Sequence, residues 1–337
     1  MTNTMSINHP AVLFNKKNFV EVEIPLWLGW RQGTRSSIKK YIDKNTGEAF
    51  LEKKIPAKHQ ENAYVELSVI NVFKRHDDTK DIFCSLIDHK HLKNNLVSIF
   101  DVGKSDSLDK IAESKAKIEV SELLPALQPV VSLHKAIKYL DEIENELRKL
   151  SENKISKIEE ITAEECAKKF VRYADPNNKL TKHVREYIKN AYFELAAKYF
   201  TSRDLIQNDG YPWHNKLNQL IDGGEIKIGP GAWHLACLIG HPIIYDKLEK
   251  KEENIRDLAH HYVFLYQHPP EKAEKIEKGF YVFSVYGNYR LLGGRFSDRF
   301  SRNEKIKLKA AALDQLTILG KEESAAKKLL NTLKYLP

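Results

Sequence analysis

The hydrophobic pattern changes its period near residue 106, and this change restricts the possible folds more than any motif in the chain. In residues 19–24, valine and isoleucine alternate with glutamate, which is the two-residue period of a half-buried strand. In residues 133–147, apolar residues recur every three or four positions, as on one face of an amphipathic helix. We therefore expect an α+β fold in three regions. They are a β-rich basic region 1–105, a helical region 106–278 and a basic region 279–337 of one β-hairpin plus helices that packs on 1–105.

Further strand-like runs in the first region predict a sheet of four to six strands. The runs are 41–51, with a turn at Asn45-Thr46-Gly47, then 63–73, 82–87 and 96–100. In the helical region, Thr162 and Thr181 are expected to begin two helices, the first of which stops before Asp175-Pro176.

The segment 279–309 has the most unusual composition in the chain. Its 31 residues contain seven aromatic, seven basic and two acidic side chains, and four of the twelve arginines. The dipeptide Gly287-Asn288 separates two aromatic runs, which predicts a tight β-hairpin. Ser301 and Glu304 have the spacing of a capping box, which predicts a helix that ends near Gly320.

Composition limits the class of protein. A hydrophobic content of 42% supports a folded core, and a net charge of +8 favours anionic partners. Neither a membrane-spanning run nor a secretory signal is recognisable, so we expect a cytoplasmic protein, with a secreted effector left open. Cys84, Cys166 and Cys237 are few and widely spaced, which predicts reduced, buried thiols.

A second basic segment lies near the N-terminus. Between Gly29 and Ser37 a glycine-rich turn carries two arginines, a geometry that can direct backbone N–H groups at a phosphate. The spacing is not that of a phosphate-binding loop of nucleotide hydrolases, because only three residues separate Gly29 from Gly33 and no lysine follows. We expect contact with an anion rather than nucleotide hydrolysis, and an ordinary turn with solvated arginines is the alternative.

These two basic segments together predict one surface for phosphate groups and stacked bases, since arginine pairs bidentately with phosphate and aromatic rings stack on bases. The predicted surface consists of Arg31, Arg35, Lys39, Arg290, Arg295, Arg299, Arg302, Tyr286, Tyr289 and Phe296. The competing interpretation is that most of these rings belong to the core.

Histidines concentrate in the helical region. His234, Cys237 and His241 have the i, i+3, i+7 spacing that could place metal ligands on one helix face. Gly240 and Pro242 flank His241 and favour a helix end there. We therefore treat these three residues as weak metal candidates, predict no cofactor, and leave a divalent metal as an alternative.

Residues 89–103 partly match two protein-kinase motifs but lack residues and spacing that those motifs require. His89-Lys-His91 through Asn95, followed by Asp101-Val-Gly103, resembles a kinase catalytic loop followed by its metal-binding motif. However, His91 occupies the position of the catalytic aspartate, the spacing to Asp101 is short, and little chain precedes the stretch. We therefore assign it no kinase role.

No nucleophile, base and orienting group can be named together, so the sequence favours binding over catalysis. We predict a nucleic-acid-binding protein, of DNA or RNA, that acts as a subunit of a larger nucleoprotein assembly with protein partners. Two alternatives remain open. The first is a metal-dependent enzyme that acts on nucleic acid or nucleotide, and the second is an interaction module for an acidic protein.

Overall fold

The protein is described by a computed structural model that covers residues 18–22, 37–56, 60–92, 95–103, 106–221, 225–294 and 297–336. The strands are β1 (Phe19–Val22), β2 (Ser37–Asp43), β3 (Ala49–Pro56), β4 (Ser85–Leu92), β5 (Asn95–Asp101), β6 (Asp204–Gln207) and β7 (Ile226–Gly229). The first helices are α1 (Gln60–Phe73), α2 (Leu108–Glu113), α3 (Val120–Lys135), α4 (Leu140–Leu150), α5 (Ala163–Ala174) and α6 (Lys182–Tyr199). The others are α7 (Gly231–Ile239), α8 (Pro242–Tyr245), α9 (Lys251–Tyr266), α10 (Lys272–Gly293), α11 (Arg302–Leu319) and α12 (Ser324–Leu333).

The predicted α+β class is confirmed. Within the described residues, the N-terminal part forms one antiparallel sheet of five strands in the order β1-β2-β3-β5-β4. The chain leaves β3, forms α1, and returns to the sheet as β4, so α1 lies beside β3 and β5. From α2 onward the chain is mainly helical, apart from the hairpin of β6 and β7.

The turn between β2 and β3 was predicted correctly. Asp43 accepts hydrogen bonds from the backbone N–H groups of Asn45 at 2.7 Å and Thr46 at 3.2 Å, which closes the turn. Gly47 then adopts a φ of 71°, a left-handed conformation that glycine reaches without steric cost.

The predicted strand 63–73 is wrong, because these residues belong to α1. Ala63, Leu67 and Ile70 are buried and recur at four and three residues, so they form the helix face that packs toward the sheet. A short apolar run has no unambiguous period, and the helical alternative is correct here.

The predicted hairpin in 279–309 is also wrong. Residues 272–293 form the single helix α10, and every residue from Gly279 to Tyr289 is buried. A helix that is apolar on all sides belongs in the interior of a helical body, where neighbours cover each face. Helices α5, α6, α7, α9 and α11 pack around α10. The segment is therefore the central helix of the helical region and not an outlying hairpin.

Several predicted helix ends are confirmed. Thr162 accepts a hydrogen bond from Glu165 N at 3.2 Å, and Thr181 accepts one from Val184 N at 3.4 Å. Ser301 and Glu304 form both hydrogen bonds of a capping box, and α11 ends with Gly320 as its C-cap. Side-chain oxygens satisfy N–H groups that the first helical turn leaves unpaired, which explains why these signals were readable from the sequence.

Direct hydrogen bonds join the sheet to the helical region. Cys84 N donates to Leu220 O at 2.9 Å, and Leu220 N donates to Ile82 O at 2.8 Å. At the start of α1, Asn62 Nδ2 donates to Glu225 Oε1 at 2.9 Å, just before β7. The edge of the sheet that follows α1 is therefore held against the segment between β6 and β7.

In the part of the chain that the structure describes, no helix combines the length and apolar character that crossing a membrane requires.

The central position of α10 predicts a large loss of stability when its core is truncated. Phe283 is 1% exposed and packs edge-on against Phe200 and at a tilt against Trp233. We expect Phe283→Ala to lower the free energy of unfolding by about 3–5 kcal/mol, measured by urea denaturation. Phe264→Ala on α9 is the control, because Phe264 is 75% exposed and should change the value by less than about 0.5 kcal/mol. Equal effects of the two substitutions would contradict the buried position of α10.

Candidate functional site

The lysines of β2 and β3 are divided between the two faces of the sheet. Residues directly opposite each other on antiparallel strands share a face. Lys53 on β3 lies opposite Ile38, and Lys40 on β2 lies opposite Leu51, so Lys40 and Lys53 are diagonal neighbours on the same face, which also carries the buried Leu51. Neighbouring residues along a strand point to opposite faces, which places Lys39 on the other side of the sheet. We call the face with Lys40 and Lys53 the inner face.

On the inner face, Lys53 forms an ion pair with a glutamate of α1. Lys53 Nζ lies 2.9 Å from Glu66 Oε2, and the side chains are 13% and 2% exposed, respectively. Removing two charges from water is costly, and a buried ion pair is weak evidence of a stabilising role. This pair instead fixes the position of the Lys53 ammonium group on the inner face.

Residues 208–216, here called the Asp209 loop, follow β6 in the helical region. Three side chains are directed at the carbonyl oxygen of its first residue, Asn208. Arg290 Nη1 donates to this oxygen at 2.8 Å, Trp233 Nε1 donates at 3.2 Å, and the Cys237 thiol lies 3.8 Å away. The donors come from α7 and α10, so the loop begins at a point fixed by two core helices.

The rest of the Asp209 loop is held by its own polar groups. His214 Nδ1 donates to the carbonyl oxygen of Asp209 at 2.7 Å, which fixes the proton on that ring nitrogen. Asn215 Nδ2 donates to Gly210 O at 3.0 Å and to Tyr211 O at 2.8 Å. A loop this strongly bonded presents its side chains in a fixed geometry.

The side-chain amide of Asn215 uses its N–H groups within the loop but not its oxygen, Oδ1. Its two N–H donors face the carbonyls of Gly210 and Tyr211, so its Oδ1 must face away from them. Asn215 is fully buried, and this oxygen accepts no hydrogen bond from the described residues. A buried acceptor without a donor is unfavourable unless another group occupies the site.

Lys40 on the sheet and Lys216 on the Asp209 loop are close enough for their charges to interact. Lys216, the last residue of the loop, is 3% exposed, and burial lowers its pKa. The pKa of Lys40 is also lowered, first by burial and then by the neighbouring charges of Lys110 and Lys216. Within the described part of the chain, neither Lys40 nor Lys216 has a hydrogen-bonded or ion-paired partner for its ammonium group.

A pair of buried histidines lies behind the Asp209 loop. His134 Nε2 lies 3.3 Å from His234 Nδ1, and His134 Nδ1 lies 2.8 Å from the Tyr262 hydroxyl. Burial lowers the pKa of His134 to about 3 and that of His234 well below its ordinary value, so both rings are neutral. Gly210 lies against His234, since a Cβ on Gly210 would come within 2.4 Å of the ring. The glycine allows the loop to lie directly on the imidazole.

The three weak metal candidates have separate surroundings. His234 contacts His134, the Cys237 thiol points toward Asn208 O, and His241 caps α8 by accepting a hydrogen bond from Ile243 N at 3.3 Å. Burial raises the pKa of Cys237 to about 12, which keeps the thiol protonated. Across the described residues, no three His, Cys, Asp or Glu side chains are grouped so as to hold a metal ion.

The structure contradicts the predicted phosphate-binding and base-stacking surface at Tyr286, Tyr289 and Arg290. Tyr286 and Tyr289 are 3% and 4% exposed on α10. Trp233 covers Tyr286 at a centroid distance of 4.7 Å, and Phe170 lies edge-on to Tyr289 at 5.2 Å. Arg290 donates to the Asp209 loop instead of facing solvent. These side chains hold the interior together and are not available to stack on bases or bind phosphates.

The other predicted residues do not form one surface with them. Lys39 is exposed and pairs with Glu21 at 3.0 Å on the outer face of the sheet. Arg299 lies in a short 3₁₀ turn, and Arg302 is exposed at the start of α11. Arg31, Arg35, Arg295 and Phe296 lie outside the described residues.

Comparison with known proteins finds structural similarity without a match in sequence. No protein-family model and no curated protein matches the chain. Among solved structures, the chain is similar to an aminoglycoside phosphotransferase from Streptomyces rimosus, described in complex with ADP and streptomycin. The identity is 14%, the TM-score is 0.45, and the match covers 77% of this chain and 93% of the other.

The prediction of a nucleic-acid-binding subunit with nucleic-acid and protein partners is wrong. Its physical basis was a hairpin that exposes aromatic and arginine side chains, and Tyr286, Tyr289 and Arg290 lie instead in the central helix α10.

Sequence reasoning missed the ion pair of Lys53 with Glu66 and the Asp209 loop. The strand prediction for 63–73 gave no reason to pair Glu66 with Lys53. In the helix, Glu66 lies on the buried face and reaches Lys53. The signal available for the loop was the polar cluster Asn208-Asp209-Gly210 directly after a short apolar run.

The buried histidines predict a specific pH dependence of stability. Burial lowers the pKa of His241 to about 3, whereas the unfolded chain takes up this proton below about pH 6.5. The stabilising contribution is therefore complete above pH 6.5 and is lost as the pH falls toward 3. We expect His241→Asn, which keeps an N-cap oxygen, to reduce the slope of unfolding free energy against pH by about 1.4 kcal/mol per pH unit between pH 6 and 4.

The measurement is urea denaturation at several pH values. His260→Asn is the matched control, because His260 is exposed. A slope in His241→Asn equal to that of the unsubstituted protein would show that His241 also takes up its proton in the folded state.

Proposed function

We propose that the protein binds a nucleoside di- or triphosphate between the inner face of the sheet and the Asp209 loop, with Lys53 contacting the phosphates. The observation that carries this proposal is the buried ion pair of Lys53 and Glu66, with its 2.9 Å separation. Of the two alternatives left open by the sequence, this geometry favours the nucleotide-directed one.

The arrangement of the sheet supports this choice of ligand. In phosphotransferases of the protein-kinase type, a lysine on the third strand contacts the α- and β-phosphates and is oriented by a glutamate of the adjacent helix. Here Lys53 is on β3, Glu66 is on the helix that connects β3 to β4, and the two side chains are in contact. The glutamate holds the extended lysine side chain, so less conformational entropy is lost when an anion binds.

The Asp209 loop supports the same location. Kinase-type catalytic loops carry an aspartate and, five positions later, an asparagine that contributes to metal binding. This chain carries Asp209 and Asn215 on one loop, with one additional residue between them. Asn215 Oδ1 is a suitable oxygen ligand, but among the described residues no group of three His, Cys, Asp or Glu side chains is arranged to hold a metal ion. The residues present therefore do not fit a resident metal ion, and we assign no step to one.

The three cysteines support the proposed compartment. All are free and buried, and burial raises the pKa of Cys84 to about 11 and that of Cys166 to about 12. Protonated, enclosed thiols are compatible with a reducing compartment, and we propose that the protein acts in the cytoplasm.

The binding proposal can be tested with two neighbouring lysines on one strand. Lys53→Met removes the ammonium from the inner face, and Lys54→Met removes one from the outer, exposed face. We expect Lys53→Met to weaken ADP and ATP binding about tenfold or more, measured by isothermal titration calorimetry, because one charge-assisted contact is lost. Lys54→Met should bind as the unsubstituted protein does.

Glu66→Gln tests the orienting role of the glutamate. The amide keeps the shape and a hydrogen-bond acceptor but loses the charge, so we expect a several-fold weakening, smaller than that of Lys53→Met. If Lys53→Met bound both nucleotides as tightly as Lys54→Met, Lys53 would have no part in binding and the proposal would be wrong.

A further inference from the structure

We infer that Lys40 and Lys216 neutralise the phosphates of the bound nucleotide directly, so that the protein binds nucleoside diphosphate without a divalent cation. This inference rests on the proposed nucleotide site and specifies what its counterions are.

The ammonium groups of Lys40 and Lys216 are incompletely compensated by the protein. Lys216 is 3% exposed, and a buried charge is strongly unfavourable without an opposite charge or hydrogen bonds. Across the described ranges, neither Lys40 nor Lys216 forms an ion pair or hydrogen bond through its ammonium. An anionic ligand would supply the missing partner.

The position of these lysines relative to Lys53 favours a shared ligand. Lys40 and Lys53 are diagonal neighbours on the inner face, a relation that places the two residues roughly 7–8 Å apart. Two flexible lysine side chains at this distance can reach one diphosphate. Lys216 approaches Lys40 from the helical region, closely enough to lower its pKa.

The charges around Lys40 and Lys216 come from several elements. Asp101 at the end of β5 and Asp106 before α2 raise the pKa of Lys216 and therefore partly compensate it. Asp106 lies 3.8 Å from Lys110, which shares its charge and also faces Asp109 and Glu113. Within the described residues none of these carboxylates forms an ion pair with Lys40 or Lys216, so a diphosphate would supply the direct contact that the two ammonium groups lack.

The decisive measurement compares ADP binding in excess EDTA with binding in excess MgCl₂. Isothermal titration calorimetry on the full chain should give dissociation constants within about threefold of each other under the two conditions. Adenosine is the second probe, because it presents the base and sugar without phosphate. It should bind at least about tenfold more weakly than ADP if the lysines bind the phosphates.

The variant that tests the residues is the double substitution Lys40→Met with Lys216→Met. We expect it to weaken ADP binding in EDTA about tenfold or more. Lys39→Met is the matched control, since Lys39 neighbours Lys40 on the same strand but belongs to the outer face. The control should bind ADP with unchanged affinity.

Folding of the variant is checked by its thermal midpoint without ligand. Replacing an unpaired buried ammonium by an apolar side chain of similar length removes a desolvation cost, so we expect Lys216→Met alone to raise the midpoint by about 2 °C or more. A higher midpoint together with weaker ADP binding would support a ligand-binding role. A lower midpoint would indicate that Lys216 stabilises the free protein, and would overturn the inference.

The remaining outcomes separate the two proposals. ADP binding in MgCl₂ but not in EDTA would show that a metal ion is the counterion, which overturns this inference and leaves the proposed nucleotide site intact. Absence of ADP and ATP binding under both conditions would overturn the proposed function itself.

Discussion

The carbonyl oxygen of Asn208 joins the core of this protein to its candidate site. Arg290 on α10 and Trp233 on α7 both donate to it, and the thiol of Cys237 lies beside it. Each donor comes from a helix that is held by the packing around α10. The position of the Asp209 loop, and hence of Asn215 and Lys216, therefore depends on the buried helical interior and not on the loop alone.

This dependence changes the role of the most basic and aromatic segment in the chain. Arg290 is surrounded by Tyr211, Tyr286, Asp209 and Glu225, so its charge is used inside the protein. Arginine is suited to such a position because its planar donors can satisfy a carbonyl while its side chain packs among rings. Local charge and aromatic content cannot distinguish this use from an exposed binding surface, since both require the same residue types.

The candidate site contains polar groups whose arrangement is unfavourable for the free protein. Asn215 Oδ1 is buried without a donor in the described part of the chain, and Lys216 is almost fully buried without an ion-paired partner there. Most of the core is apolar and well enclosed, so such groups are exceptions. Functional sites commonly retain groups of this kind, because a ligand completes interactions that folding leaves open.

The sequence by itself determined the α+β class, the β2–β3 turn and the caps at Thr162, Thr181 and Ser301. These features depend on residues a few positions apart, whose side chains act on the nearest backbone groups. Only the tertiary structure decided that 63–73 and 279–293 are helices, because an apolar run takes its conformation from the neighbours that cover it. It alone also brought Lys53 into contact with Glu66 and placed the charge of Lys216 near that of Lys40. Lys40 and Lys216 are 176 positions apart in the chain, and no local pattern encodes their proximity.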